Sequence, residues 1–187
     1  ASEMVDGLVG SEMCIRDSLG DEQRILATVK IDGNQYDSVG IRYKGYSSVN
    51  ITQTKNPFNV KLDYIIDNQE HQGYNKIKLS NCIHDPTFIR EALSYQIARK
   101  YLPSSEANFV NLYINDTLWG LYSNVESVNK DFLSKHYQSR NNSFFKCNPS
   151  SLNLFGENSN LSLSPGNDSL NYENFYTIKS AFGWSDL

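Results

Sequence analysis

The sequence is poor in cysteine and has no pairing pattern for it. Its three cysteines, Cys14, Cys82 and Cys147, are an odd number and form no Cys-x-x-Cys pair. A disulfide framework needs an even set of cysteines, and a structural zinc site needs closely spaced ligands. The sequence therefore excludes both, and we expect buried or free thiols.

Long apolar runs and a one-sided charge are also lacking. No apolar stretch is long enough to cross a bilayer as a helix. The net charge of −4 is spread over residues of both signs, without a basic stripe. Nucleic acids and anionic membrane surfaces are held by clustered Lys and Arg residues, so we expect no nucleic-acid partner. Because the long apolar run is missing, we expect no membrane span either.

What the chain does contain is the composition of a globular protein. Its 187 residues, 39% hydrophobic and 12% aromatic, suffice for one large domain or two small ones with a buried core. The first part differs, because residues 1–20 show neither a helical nor a strand period. Residues 12–18 resemble a translated sequencing-adapter end. We therefore expect residues 1–20 to be a non-native segment and exclude them from the fold prediction.

The remaining sequence predicts an α+β fold with a mainly antiparallel sheet. Alternation of apolar and polar residues, interrupted by turn signals such as Asp32-Gly33, is typical of hairpins. In the strand that starts at Phe58, this alternation places Lys61 on the face opposite the core. The predicted strands are 27–31, 39–43, 58–63, 77–79, 109–114, 118–123 and 144–146.

One long helix is predicted to pack on this sheet. Asp85 is expected as its N-cap and Pro86 as its first residue, and Pro103 ends the pattern. Apolar residues at helical spacing, among them Ile89, Leu93 and Ile97, are expected to face the core. A shorter helix is predicted over 127–137 and a faint one over 172–182.

Residues suited to phosphate binding follow the first hairpin. Gly45 lets the backbone approach a ligand closely, and Ser47 and Ser48 add hydroxyl donors. A lysine on the next strand, Lys61, and a helix carboxylate, Glu91, could complete such a site. Taken alone, a Gly followed by serines is more often an ordinary turn, a helix glutamate is more often solvated, and a strand lysine is equally typical of a solvated face. Their order, however, is that of the small lobe of a kinase.

Several linked motifs resemble the CotH (spore coat protein H) kinase-like family. They are Gly40–Ser48, Lys55–Asp63, Lys78–Asn81 leading into Asp85–Glu91, and Trp119–Tyr122 with Glu126. The resemblance runs from about Ile25 to the C-terminus. It implies an atypical protein kinase fold that transfers phosphate from ATP, with magnesium, onto serines or threonines of a coat or surface protein. It also implies a bacterial spore coat or cell surface as the location.

The resemblance also implies roles for individual residues. Lys44, Gly45, Ser47 and Ser48 would contact phosphates. Lys61 would neutralise them, with Lys44 and Lys55 as alternatives for this role, and Glu91 would be the partner of Lys61. Glu126 would lie in the segment that runs beside the base and connects the two lobes.

The same resemblance implies that this chain carries the nucleotide-binding residues of the active site and lacks its catalytic aspartates. Residues 25–146 would be the nucleotide-binding lobe, and 147–187 a loop and the start of an incomplete second lobe. The family's catalytic and magnesium-binding aspartates have no counterpart before Leu187, so we assign no catalytic residue and no metal ligand to this chain.

Two other classes of function remain open from the sequence. The first is a non-catalytic coat or cell-surface assembly module that uses the same fold. The second is an extracellular carbohydrate-binding module, which would present an exposed aromatic row made of Tyr113, Trp119 and Tyr122.

We expect this chain alone to incorporate no phosphate when it is incubated with labelled ATP and magnesium. Phosphoryl transfer needs carboxylates that hold the metal and orient the acceptor hydroxyl, and these are expected elsewhere. Robust incorporation of label would contradict the expected division of the site.

Overall fold

The structure is a computed structural model that describes residues 5–9, 24–45, 48–50, 52–147, 169–172 and 176–179. The chain divides into two compact units, Ala1–Val128 and Asn129–Leu187. The division falls before the boundary expected at residue 146. It leaves the second predicted helix in the second unit.

The first unit is a closed barrel of seven strands in the order β1-β2-β3-β4-β5-β7-β6. Apart from one parallel pairing, between β1 and β6, its neighbouring strands run antiparallel. The fold is therefore α+β with a mainly antiparallel sheet. The strands are β1 (Val5–Val9), β2 (Ile25–Ile31), β3 (Asn34–Tyr43), β4 (Phe58–Lys61), β5 (Lys76–Ser80), β6 (Ala107–Ile114) and β7 (Thr117–Val125).

Strand β1 lies within the segment that the sequence analysis excluded. It pairs with β2 on one side and with β6 on the other, and so closes the barrel. The absence of apolar alternation did not prevent pairing, because strand hydrogen bonds are made by backbone groups that every residue type carries.

The barrel core consists of the inward-facing residues of β2 to β7. Phe58, Val60 and Leu62 alternate inward along and just beyond β4, as their spacing predicted, and each is at most 2% exposed. Their aliphatic and aromatic partners come from every neighbouring strand. The largest fully buried side chains are Tyr122, Phe58, Ile31, Ile41, Leu62, Leu79, Leu112, Val29, Val39, Val60 and Val110.

Helix α1 (Arg90–Ala98) begins later than predicted. A turn over residues 85–88 precedes it, and Phe88 adopts a left-handed backbone conformation with φ +62°. The predicted N-cap is therefore wrong: Ile89 holds that position, without a capping side chain. Asp85 stabilises the preceding turn and the first N–H of the helix, because its carboxylate accepts hydrogen bonds from the backbone N–H groups of Thr87 and Arg90.

The apolar stripe of α1 does not face the core, and that prediction was wrong. Ile89, Leu93 and Ile97 are 51%, 47% and 49% exposed, and no residue of α1 is buried. The helix contacts β6 and β7, but a cavity of about 660 Å³ separates part of it from β6. Helical spacing indicates which residues share a face, and it does not say how closely the sheet approaches that face.

The second unit contains helix α2 (Lys130–Tyr137) and a two-stranded sheet of β8 (Phe145–Cys147) and β9 (Tyr176–Ile178). Asn129 caps α2 by accepting hydrogen bonds from the backbone of Asp131 and Phe132. The faint helix predicted over 172–182 is wrong at residues 176–178, which form β9 against β8. None of the helices in the described ranges is long and apolar enough to cross a membrane.

The segment between β3 and β4 is organised by a buried amide. Asn56 is fully buried, and its side chain accepts a hydrogen bond from the backbone N–H of Asn50. It also donates to the backbone oxygens of Asn50 and Gln53. One side chain thereby satisfies three backbone groups that have no strand partner.

We expect the change Asn56→Ala to lower the free energy of unfolding by about 2–3 kcal/mol, because it leaves buried polar groups of the loop without partners. Chemical denaturation of the wild type and the variant measures this difference. Thr54→Ala, an exposed position in the same loop, is the matched control and should change the free energy by less than about 0.5 kcal/mol. Equal stability of Asn56→Ala and the wild type would contradict the organising role of the amide.

Candidate functional site

Lys44 lies at the point where β3 ends, and its side chain turns towards β5 and α1. Its ammonium donates a hydrogen bond to Ser80 Oγ at 2.8 Å. Ser80 Oγ in turn donates to Glu91 Oε1 at 3.4 Å. Ammonium, hydroxyl and carboxylate therefore form a short chain that links a loop, a strand and a helix.

The environment of Lys44 shifts its pKa. Burial lowers the pKa of Lys44 from its ordinary value, and the charge of Glu91 partly opposes this effect. A desolvated cation held beside a carboxylate in a cleft is typical of functional sites, although structural ion-pair networks produce it as well.

A cavity of about 380 Å³ lies beside this chain of groups, lined by Lys44, Ser48 and Glu91 among others. Gly45 has φ +94°, and a Cβ at this position would collide with Ser48 Oγ. Only glycine therefore allows the loop to fold back so tightly. Ser47 lies outside the described residues.

Asn81 fixes the loop against the end of β5. It is 5% exposed, and its side-chain amide donates to the backbone oxygens of Ser48 and Lys55 at 3.1 and 2.9 Å. One buried residue thus holds the loop that carries Lys55 close to the end of the strand that carries Ser80. Neither Ser80 nor Asn81 was predicted as a site residue, because neither residue type at a strand end indicates such a contact.

Lys55 lines a second cavity of about 640 Å³. The loop 81–85 lies between the two cavities and lines both of them. Burial lowers the pKa of Lys55 as well. The two lysines that the sequence analysis named as alternatives to Lys61 therefore line neighbouring cavities.

Lys61 lies elsewhere on the barrel. It is opposite Gly40 and Lys76 in the sheet. Three residues of β4 separate it from the strand end near Lys44, which corresponds to about 10 Å along the strand. Its ammonium is 3.9 Å from Asp63 Oδ1. The predicted pairing of Lys61 with Glu91 is not formed, and Glu91 is instead linked to Lys44 through the Ser80 hydroxyl.

Glu126 belongs to a separate cavity of about 310 Å³, which shares no lining residue with the Lys44 cavity. Its carboxylate accepts hydrogen bonds from the backbone N–H of Glu106 at 2.9 Å and from the Tyr74 hydroxyl at 3.4 Å. Lys76 and Arg99 also line this cavity. The structure therefore does not bring Glu126 together with Lys44.

Two other possibilities were tested against the geometry. Tyr122 is fully buried, and Tyr113 and Trp119 are half-buried, so these residues do not form the exposed row that a carbohydrate-binding module would present. Within the described ranges, no three His, Cys, Asp or Glu side chains are grouped so that they could hold a metal ion.

A protein-family model described as CotH kinase protein matches residues 41–186. The chain belongs to the CotH kinase family. The match includes β3 from Ile41 onwards, both cavities beside the 81–85 loop, and α1. No curated protein matches the chain.

We expect Glu91→Gln to lower the pKa of Lys44 further. The carboxylate stabilises the ammonium form, so its loss leaves burial unopposed and favours the neutral amine. An NMR pH titration of the lysine ε-methylene carbons measures the shift. Glu70→Gln, which removes an exposed carboxylate, should leave Lys44 unchanged. An unchanged or raised Lys44 pKa in Glu91→Gln would contradict the electrostatic link.

Proposed function

We propose that this CotH kinase family chain binds ATP with magnesium through the two cavities beside the 81–85 loop. The observation that carries the proposal is the half-buried Lys44, whose ammonium is bonded to Ser80 Oγ and linked through that hydroxyl to Glu91 at the edge of a cavity. A polyphosphate needs fixed cations, and a lysine with restrained geometry binds it without first having to be ordered.

The chain order supports this assignment. In protein kinases a glycine-containing loop between two strands covers the phosphates, and a helix glutamate holds a lysine that contacts them. Here the loop between β3 and β4 contains Gly45, and α1 supplies Glu91. The lysine that Glu91 holds is Lys44, which lies in the loop itself.

The proposed reaction is phosphoryl transfer from ATP to a serine or threonine of another protein, with magnesium as the metal. The family supports the reaction class, and the resemblance described above supports a coat or surface protein as acceptor. Lys44 would contact phosphate oxygens and neutralise their charge. Gly45 and Ser48 would let the loop approach the phosphates closely. Catalytic carboxylates and magnesium ligands are not assigned among the described residues.

The test is a calorimetric titration of the chain with ATP and magnesium. Lys44→Met should weaken binding at least about tenfold, the loss of one charge-assisted contact. Lys30→Met, at an exposed lysine of β2, controls for the change in net charge and should bind like the wild type.

Lys61→Met separates this proposal from the assignment that the sequence suggested. We expect it to bind ATP like the wild type, because Lys61 lies about 10 Å along β4 from the end near Lys44. Loss of binding in Lys61→Met with retention in Lys44→Met would reverse the assignment. Absence of ATP binding by the wild type would favour the non-catalytic assembly module.

A further inference from the structure

Lys55 is held by two aromatic rings. Its ammonium lies 4.3 Å from the centroid of the Phe88 ring and 4.9 Å from that of Tyr122. Both distances are within the range of attractive cation–π contacts. We call Phe88 and Tyr122 the aromatic seat of Lys55.

Both residues of the aromatic seat are held by hydrogen bonds of their own. Tyr122 is fully buried, and its hydroxyl donates to the backbone oxygen of Asn56, the residue after Lys55. Phe88 is fixed by its turn, since its N–H donates to the backbone oxygen of Asp85. A left-handed backbone at a bulky residue is strained and persists only where its surroundings enforce it.

The ammonium in this seat remains available to an anion. None of the ion pairs among the described residues involves Lys55. Contact with ring faces leaves N–H donors of the ammonium directed away from the rings. Phe88 and Lys55 both line the second cavity, so these donors are next to open space.

We propose that Phe88 is a positioning residue that holds Lys55 as a second phosphate-binding cation beside Lys44. The inference rests on the proposed function and extends it, because it makes the site a two-cation site for a polyphosphate. The segment 85–91 then positions both cations, Lys44 through Ser80 and Glu91, and Lys55 through the ring of Phe88.

The first experiment titrates inorganic tripolyphosphate into the chain by calorimetry. Lys55→Met should weaken binding about tenfold or more, as expected for loss of a charged contact. Phe88→Leu should weaken it about threefold to tenfold, the size of a lost cation–π contact. Leucine meets the same backbone strain as phenylalanine at this position, so the variant changes the ring and not the backbone cost. Phe88→Trp keeps an aromatic face and should bind within about twofold of the wild type.

A double variant tells positioning from a general structural effect. If Phe88 acts through Lys55, Phe88→Leu has no further effect in the Lys55→Met background. A penalty that persists in that background overturns the proposal. So does wild-type affinity in either Lys55→Met or Phe88→Leu.

An NMR readout without any ligand completes the test. The ε-methylene of Lys55 over two rings should resonate upfield of ordinary lysines and move back towards them in Phe88→Leu. An ordinary shift in the wild type overturns the aromatic seat. A wild type that shows the upfield shift but binds neither tripolyphosphate nor ATP overturns the proposed function, and the binding role of Lys55 with it. Binding that Lys55→Met does not change overturns this inference alone.

Discussion

The candidate site depends on how the loop between β3 and β4 satisfies its backbone hydrogen bonds. The Lys44 N–H donates to the Pro57 oxygen, and none of the other described residues of this loop, 45, 48–50 and 52–56, takes part in a strand pairing. Two buried asparagines take the place of a strand partner: Asn56 from within the loop and Asn81 from the end of β5. An unpaired buried backbone group costs about as much as a lost hydrogen bond, so these amides select one loop conformation among many. Lys44, Ser48 and Lys55 have fixed positions because of that selection.

The fixed loop allows two lysine ammonium groups to be partly desolvated in neighbouring cavities. Removing a cation from water is unfavourable, and each lysine is compensated differently. Lys44 is compensated by a hydroxyl and a carboxylate, and Lys55 by two aromatic rings. Both arrangements leave N–H donors of the ammonium that can bond to a ligand, since an ammonium has three of them. This arrangement is what a polyphosphate site requires, since the cations must be held in place and still be able to donate hydrogen bonds.

Much of the barrel could be predicted from the sequence, because strand alternation reports burial directly. Phe58, Val60 and Leu62 face the core as their spacing predicted. The strand at Val5–Val9 could not be predicted, since its pairing uses backbone groups and its sequence does not alternate. The helix itself was predicted from its apolar spacing, but the burial of Ile89, Leu93 and Ile97 was not. Burial of a helix face depends on its distance to the sheet, which spacing does not reveal.

The positions of the candidate site residues were predicted in part, and their role in binding stays a prediction. Ser48 and Glu91 line one cavity, but the lysine that is linked to Glu91, through the Ser80 hydroxyl, is Lys44 and not Lys61. Sequence order places a lysine on a strand, whereas the register of β3, β4 and β5 decides which end of the barrel it reaches. Ser80, Asn81 and Phe88 lie within motifs that carry the family resemblance, but their roles could not be predicted, because these roles arise from contacts between segments that are distant in the chain.

The most direct measurement is a backbone amide NMR titration of the chain with ATP and magnesium. If the two lysines form a phosphate site, the largest shift changes fall on Lys44, Ser48, Lys55, Asn81 and Glu91. Changes centred instead on Lys61 and Asp63, or on the separate cavity of Glu126, would contradict the account.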